Sequence, residues 1–186
     1  MTKRPPKSKE ATMPTRPTID ASPLHLRLPV LADQDDWLAI AKQPDVLDLG
    51  LLEFKLAMST WDDQGYGLFV VTEEASGEVL GLAGASKPFR CIGPHLLAAF
   101  HPKARAKPQP GSDTLGVLAC RGVVSWWQDT FDLELFAHVA PQNKKGHRLA
   151  LALGGHLLSE NSELRLPDYL ASVQADYVFH RPKLAK

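Results

Sequence analysis

Residues 67–87, GLFVVTEEASGEVLGLAGASK, constrain the fold of this chain more than any other stretch. GLFVVTEE and VLGLAGASK read as two strands, and the ASGE between them carries the glycine of a tight hairpin turn. The rest of the chain has to be placed around that antiparallel pair. Upstream, LHLRLPVL sets Leu24, Leu26 and Leu28 in alternation with His25 and Arg27, the period of a half-buried strand. LADQDDWLAIAK follows as a helix, with Asp33 placed to cap it and Asp35 and Asp36 in its first turn, where carboxylates suit the macrodipole. Trp37, Leu38 and Ile40 are expected to face the core, and LLEFKLAMSTWDD reads as a second helix ending before Gly65.

Downstream of the hairpin, HLLAAFHP is an apolar strand. A proline-laden loop leads to LGVLACRGVVSWWQDTF, which has helical length, and LELFAHVA is a further strand. HRLALALGG reads as a short helix stopped where Gly154 or Gly155 takes the left-handed conformation, and ADYVFHRPK closes the chain as a strand. No internal repeat is present. The order predicts an α+β (mixed α/β) domain with a central, largely antiparallel sheet flanked by helices.

With 186 residues, 44% of them hydrophobic and 23% charged, the chain can bury one substantial core, and a single domain over residues 23–186 is expected. Residues 1–22 are rich in Pro, Lys, Ser and Thr and have little to bury, so they read as a disordered basic tail. Its Lys3, Arg4, Lys7 and Lys9 are either solvated or touch an acidic partner. Basic and acidic residues balance at 21 each, which argues against a nucleic-acid partner. No apolar run approaches the ~18 residues of a spanning helix, and no signal core opens the chain, so no membrane partner and a cytoplasmic location are expected. Cys91 and Cys120 lack metal-ligand spacing and read as reduced core residues. The seven histidines show neither HxxxH nor HExxH spacing, and no metal site is expected. A G-x-S-x-G elbow and a P-loop are both missing, and Trp126–Trp127 reads as core.

The segment FDLELFAHVAPQNKKGHRLALALGGHLL resembles one in GNAT N-acyltransferases of the ribosomal-protein N-terminal acetyltransferase branch, where a strand runs into N-x-x-S-x-R, an apolar helix and a glycine. Asn143, Arg148, Leu149, Ala150, Leu153 and Gly154 fall in step with it. The LHLRLPVLADQDDWLAIAKQPDV opening, the hairpin and the closing DYVFHRPK extend the resemblance over roughly residues 23–183. It implies a GNAT-like sheet with a splayed parallel strand pair, acetyl-CoA as co-substrate in the wedge, and direct attack by an amine in a ternary complex. The acceptor so implied is a protein N-terminus, a lysine or a small amine, and a homodimer is the assembly left open.

Carried over residue by residue, the wedge strand would be Ala98 to Pro102, with Phe100 and His101 along the pantetheine arm. The pyrophosphate would meet Gly111, Ser112, Asp113, Thr114 and Leu115 at the start of the long helix. That loop is degenerate: the family's Q/R-x-x-G-x-G/A meets Asp113 and Leu115 at its glycine places, and Asp113 is placed to cap the helix itself and repel an anion. Lys103, Arg105 and Lys107 could instead neutralise phosphates from the side. The family's Ser and Tyr acids fall on Gly146 and Ala150, and the branch's glutamate on Val117. Catalysis would then rely on another base, on water or on proximity alone, with His101 and His147 the nearest candidate imidazoles, and Asn143 is either cofactor ligand or helix cap. Two functions follow: an acetyl-CoA-dependent N-acetyltransferase, or a binding or scaffold protein that kept the fold without the chemistry.

Overall fold

The computed structural model describes residues 17–42, 51–87, 93–139, 141–158 and 175–180. In chain order the elements are β1 (Ile19–Ala21), β2 (Leu24–Arg27), α1 (Gln34–Ala41), α2 (Leu51–Gln64), β3 (Leu68–Glu73), β4 (Val79–Ser86), β5 (His95–Phe100), α3 (Leu115–Thr130), β6 (Leu135–Val139), α4 (Lys144–Ala152), β7 (His156–Leu157) and β8 (Ala175–Phe179). Short 3-10 turns at Leu31–Asp33 and Pro102–Arg105 precede α1 and follow β5.

Among the described residues the strands form one sheet in the order β1-β2-β3-β4-β5-β6-β8-β7, in which only the β5–β6 pair is parallel. It is the mixed α/β arrangement that the element order implies. In β3 the alternation sends Phe69 and Val71 to one face and Leu68 and Val70 to the other, and all four are buried. Helices therefore have to cover both faces. On one, Ala119 and Val123 of α3 pack with Phe69, Val71 and Ala83. On the other, Trp37 and Ile40 of α1 and Phe54 of α2 pack with Leu68, Val70, Leu82 and Ala99. Trp126 and Trp127 lie in the α3-side core, as expected from the sequence. Cys120 is a buried free thiol, pushed up to about 12 by burial, whereas Cys91 lies outside the described residues.

Two expectations need correction. The sheet begins at Ile19 rather than near Leu24: β1, inside the stretch assigned to the tail, pairs antiparallel with β2 through Ile19–Leu26 and buries Ile19. Three residues without alternation give no strand signal of their own; β2 and α3 supply the surface that orders them. The expected tail residues 1–16 and the closing residues 181–183 lie outside the described part. Asp33, moreover, stands at the N-cap position of α1 but makes no side-chain capping bond there. Its carboxylate accepts 2.7 Å bonds from Arg27 Nη1 and Nη2 and from the Val30 N–H, tying β2 to the turn ahead of the helix.

Candidate active site

The parallel ladder between β5 and β6 holds at one point, His95 opposite Phe136, with the Phe136 N–H donating to the Pro94 carbonyl at 2.9 Å. Beyond it no further bridge joins the two strands among the described residues, and they part. β5 stays paired to β4 along its whole length, from Ser86–His95 to Gly81–Phe100, and β6 stays paired to β8 through Val139–Ala175. Strand parity then decides what lines the opening. The odd residues of β5 turn their peptide groups to β4, as the His101 N–H to Leu80 carbonyl bond confirms at the strand's end. The peptide groups of Ala98 and Phe100 therefore face the gap. Ala98 is exposed, although it sits mid-strand near the centre of the sheet. The Phe100 ring lies against Gly116 of α3, where a Cβ would come within 3.2 Å of it, so the helix start is seated directly on the strand bordering the opening.

At that helix start, Thr114 is the cap: its Oγ1 accepts from the Val117 N–H at 3.4 Å. The Leu115 N–H donates to the Ala106 carbonyl at 3.0 Å, and the Gly116 N–H has no acceptor among the described residues. Asp113 thus does not cap the helix, contrary to the sequence expectation; its carboxylate pairs with Arg121 two turns along at 2.6 Å. Gly111 supplies a positive φ of 82° to the preceding turn, closed by Ser112 Oγ donating to the Gln109 carbonyl. Lys103 is paired with Glu78, and Lys107 is exposed.

Across the gap, α4 begins beside the end of β6. Asn143 caps it, Oδ1 accepting from the Gly146 N–H at 2.9 Å. Gly146 makes the fold-back possible, because a Cβ there would stand 2.8 Å from both Asn143 Nδ2 and Val139 Cγ1. A side chain at this place, where the resembling family has serine, would have to displace Asn143 or Val139. The glycine pair ending α4 has two separate reasons. Gly154 takes φ 79° and donates to the Leu151 carbonyl, while the Gly155 N–H reaches the Ala150 carbonyl at 2.9 Å, the paired bonds of a left-handed helix stop. Gly155 is needed for space, since its Cβ would lie 2.9 Å from that carbonyl and from the Phe179 ring.

Neither a protein-family model nor a curated protein matches this chain. Solved structures do. An acetyltransferase from Agrobacterium tumefaciens superposes with TM-score 0.69 at 21% identity, covering 92% of this chain and 99% of its own. The chain has the GNAT fold. A ribosomal-protein-S5-alanine acetyltransferase from Vibrio fischeri matches with TM-score 0.63 at 13% identity over 91% of this chain and 99% of that one. A GNAT superfamily phosphinothricin acetyltransferase from Sinorhizobium meliloti, solved with AcCoA, matches with TM-score 0.61 at 19% identity, covering 84% and 86%.

Within the GNAT fold, the two histidines singled out from the sequence belong to different sides of the opening. His101 caps the 3-10 turn after β5, its Nδ1 accepting from the Lys103 N–H at 3.3 Å. His147, on α4, lies 2.8 Å from the Tyr177 hydroxyl of β8, beyond β6. A different pair sits at the apex. His95 is buried, with 2% exposure, and stacks on His138 of β6 with ring centroids 4.0 Å apart and 19° between planes. Its Nδ1 has no hydrogen-bond partner among the described residues. Burial, then the facing His138, outweigh a Gly93 carbonyl and bring its pKa down to about 4. Sequence reasoning missed these two because it searched histidines for helical and metal spacings, whereas a stack across two parallel strands 43 positions apart has no local signature.

Proposed function

We propose that this protein transfers an acetyl group from acetyl-CoA to a primary amine, a protein N-terminus, a lysine or a small amine, by direct attack in the opening between β5 and β6. The observation that carries the reading is the early parting of those strands, with Ala98 exposed and peptide groups of Ala98 and Phe100 turned to the gap. A pantetheine arm is a thin chain with two amides, and those peptide groups offer it strand-like partners. The Gly116 N–H and the positive end of α3, 16 residues long, favour its phosphates. Ser112 and Thr114 flank that end, and the ion pair with Arg121 tempers the Asp113 carboxylate. On this reading Asn143 serves the site by fixing the start of α4 rather than by its own contact with the ligand.

Bound there, acetyl-CoA supplies an activated thioester; the protein holds it in line with the amine and accepts the amine's proton. His101 and His147, the imidazoles proposed from the sequence, stand at the two margins of the opening and are secondary candidates. The engaged Leu115 amide and the absence of the usual serine and tyrosine support a second reading, a binding or scaffold protein with the GNAT fold. Calorimetric titration with acetyl-CoA separates them. The transferase reading expects saturable heat at sub-millimolar ligand; no heat at millimolar acetyl-CoA would favour the scaffold.

A further inference from the structure

We infer that His138, seated on His95 where β5 and β6 part, is the group that takes the proton from the acceptor amine, and that His95 is its positioning residue; this rests on the amine-acetylation reading above. Alternation places His95, Leu97 and Ala99 of β5 and Phe136 and His138 of β6 on the sheet face covered by α1 and α2, because Ala99 packs with Trp37 and Phe54 and Leu97 packs against the same cluster. α3 and its amide end lie on the other face. A thioester threaded through the opening from the α3 side would therefore present its carbonyl toward the histidine pair. His138 is two residues past the last bridge between the strands, at the mouth of the opening, and its ring reaches across to stack on His95.

A primary amine arrives mostly as ammonium at neutral pH and cannot attack until a proton leaves. His101, in the turn after β5, and His147, on α4 against Tyr177, lie at the margins of the opening and not beside the bridge at which the strands part. His95 is unusual for a structural residue: HLLAAF is otherwise apolar, and burying an imidazole nitrogen without a partner costs stability that a leucine there would not. Facing it are His138, the Phe136 ring 5.7 Å away and the Gly93 carbonyl, and of these three only His138 is an ionisable side chain. Kept neutral by burial, His95 holds the His138 ring in place and adds no charge that would repel an incoming proton. In the step itself His138 takes one proton from the ammonium, the freed nitrogen pair forms the C–N bond to the thioester carbonyl carbon, and the C–S bond breaks with its pair on sulfur. The second nitrogen proton goes to the thiolate, giving amide and free thiol, and His138 returns its proton to water.

Two measurements on the full chain test this. In the first, histidines are carbethoxylated with diethyl pyrocarbonate and mapped by peptide mass, with and without saturating free coenzyme A. Protection of His138 is expected, and unchanged reactivity overturns the placement. In the second, thiol release is followed against pH with three probe amines: a peptide with only a free N-terminus, one with only a lysine amine, and 2-phenylethylamine. His138→Gln should lower kcat about 100-fold and move the acid limb of the profile up to the ionisation of the free amine itself, with the KM for acetyl-CoA within threefold. His95→Phe should lower kcat about tenfold and move that limb. A wild-type limb in His138→Gln overturns the proton-acceptor role, and an unchanged profile in His95→Phe overturns the positioning role. If no probe amine is acetylated, the proposed reaction fails separately, and the protection experiment alone decides the placement of His138.

Discussion

His95 should make the protein acid-labile in a window set by one side chain. Its pKa is lowered from 6.5 to about 4 in the folded state, chiefly by burial and secondly by His138. Between those values the unfolded chain binds a proton that the folded chain refuses, so stability rises with pH there. It is fully present above 6.5 and is lost as pH falls through about 4. Displacing the proton affinity that far corresponds to about 3 kcal/mol, a sizeable share of the stability of an ordinary domain. The perturbation is His95→Phe, which keeps a ring between Phe136 and His138 and removes the titration and the unpartnered nitrogen. Urea unfolding followed by tryptophan fluorescence, at steps from pH 7 to 4.5, gives the free energy for both proteins. Wild type should lose on the order of 2–3 kcal/mol relative to the variant across that range. Carboxylates common to both cancel in the difference, and the Asp33 carboxyl, held below 3.8, acts at lower pH. A difference that stays flat to within ~0.5 kcal/mol over the window would refute the claim that His95 is buried neutral.

Gly155→Ala forces a Cβ against the Ala150 carbonyl and the Phe179 ring and should cost about 1–3 kcal/mol in urea unfolding, with α4 the element that shifts. Asp33→Asn leaves Arg27 without its carboxylate and should destabilise by about 1–3 kcal/mol, below the figure for a fully buried pair because solvent reaches the guanidinium. The same contact predicts that wild-type stability falls further as pH drops below 3.8: burial pushes the Asp33 carboxyl up, but Arg27 and the Val30 N–H together hold it below its usual value. Asp113→Gly removes a negative charge beside the start of α3 and releases Arg121, so acetyl-CoA should bind about two- to fivefold tighter by calorimetry; weaker binding would contradict placing the phosphates at that helix end.

The strands and helices were legible where their pattern is periodic over five or more residues. The β3–β4 hairpin, α3 and β6 lie close to their expected ranges, and α4 stops at Gly154 as its glycine pair implies. Short or cooperative features were not. β1 has three residues and exists because β2 and α3 receive it. The cap of α3 moved one residue, from Asp113 to Thr114, because Arg121 competes for the carboxylate. Asp33 looked like a cap by spacing, yet a bidentate arginine from the preceding strand engages its carboxylate instead. Phe100 and Asn143 were picked out from the sequence; the structure adds that one seats a strand on a helix and the other caps a helix over a glycine whose Cβ would press on Asn143 itself and on Val139.

By itself the amino-acid order determined a mixed sheet between helices and where a glycine had to end α4, because hydrophobic period and backbone freedom act within a few neighbouring residues. Only the tertiary arrangement decided where β5 and β6 separate and that His95 meets His138 there. Both depend on atoms brought together from distant parts of the chain, and a solvent-free imidazole acquires its character from what surrounds it rather than from what precedes it.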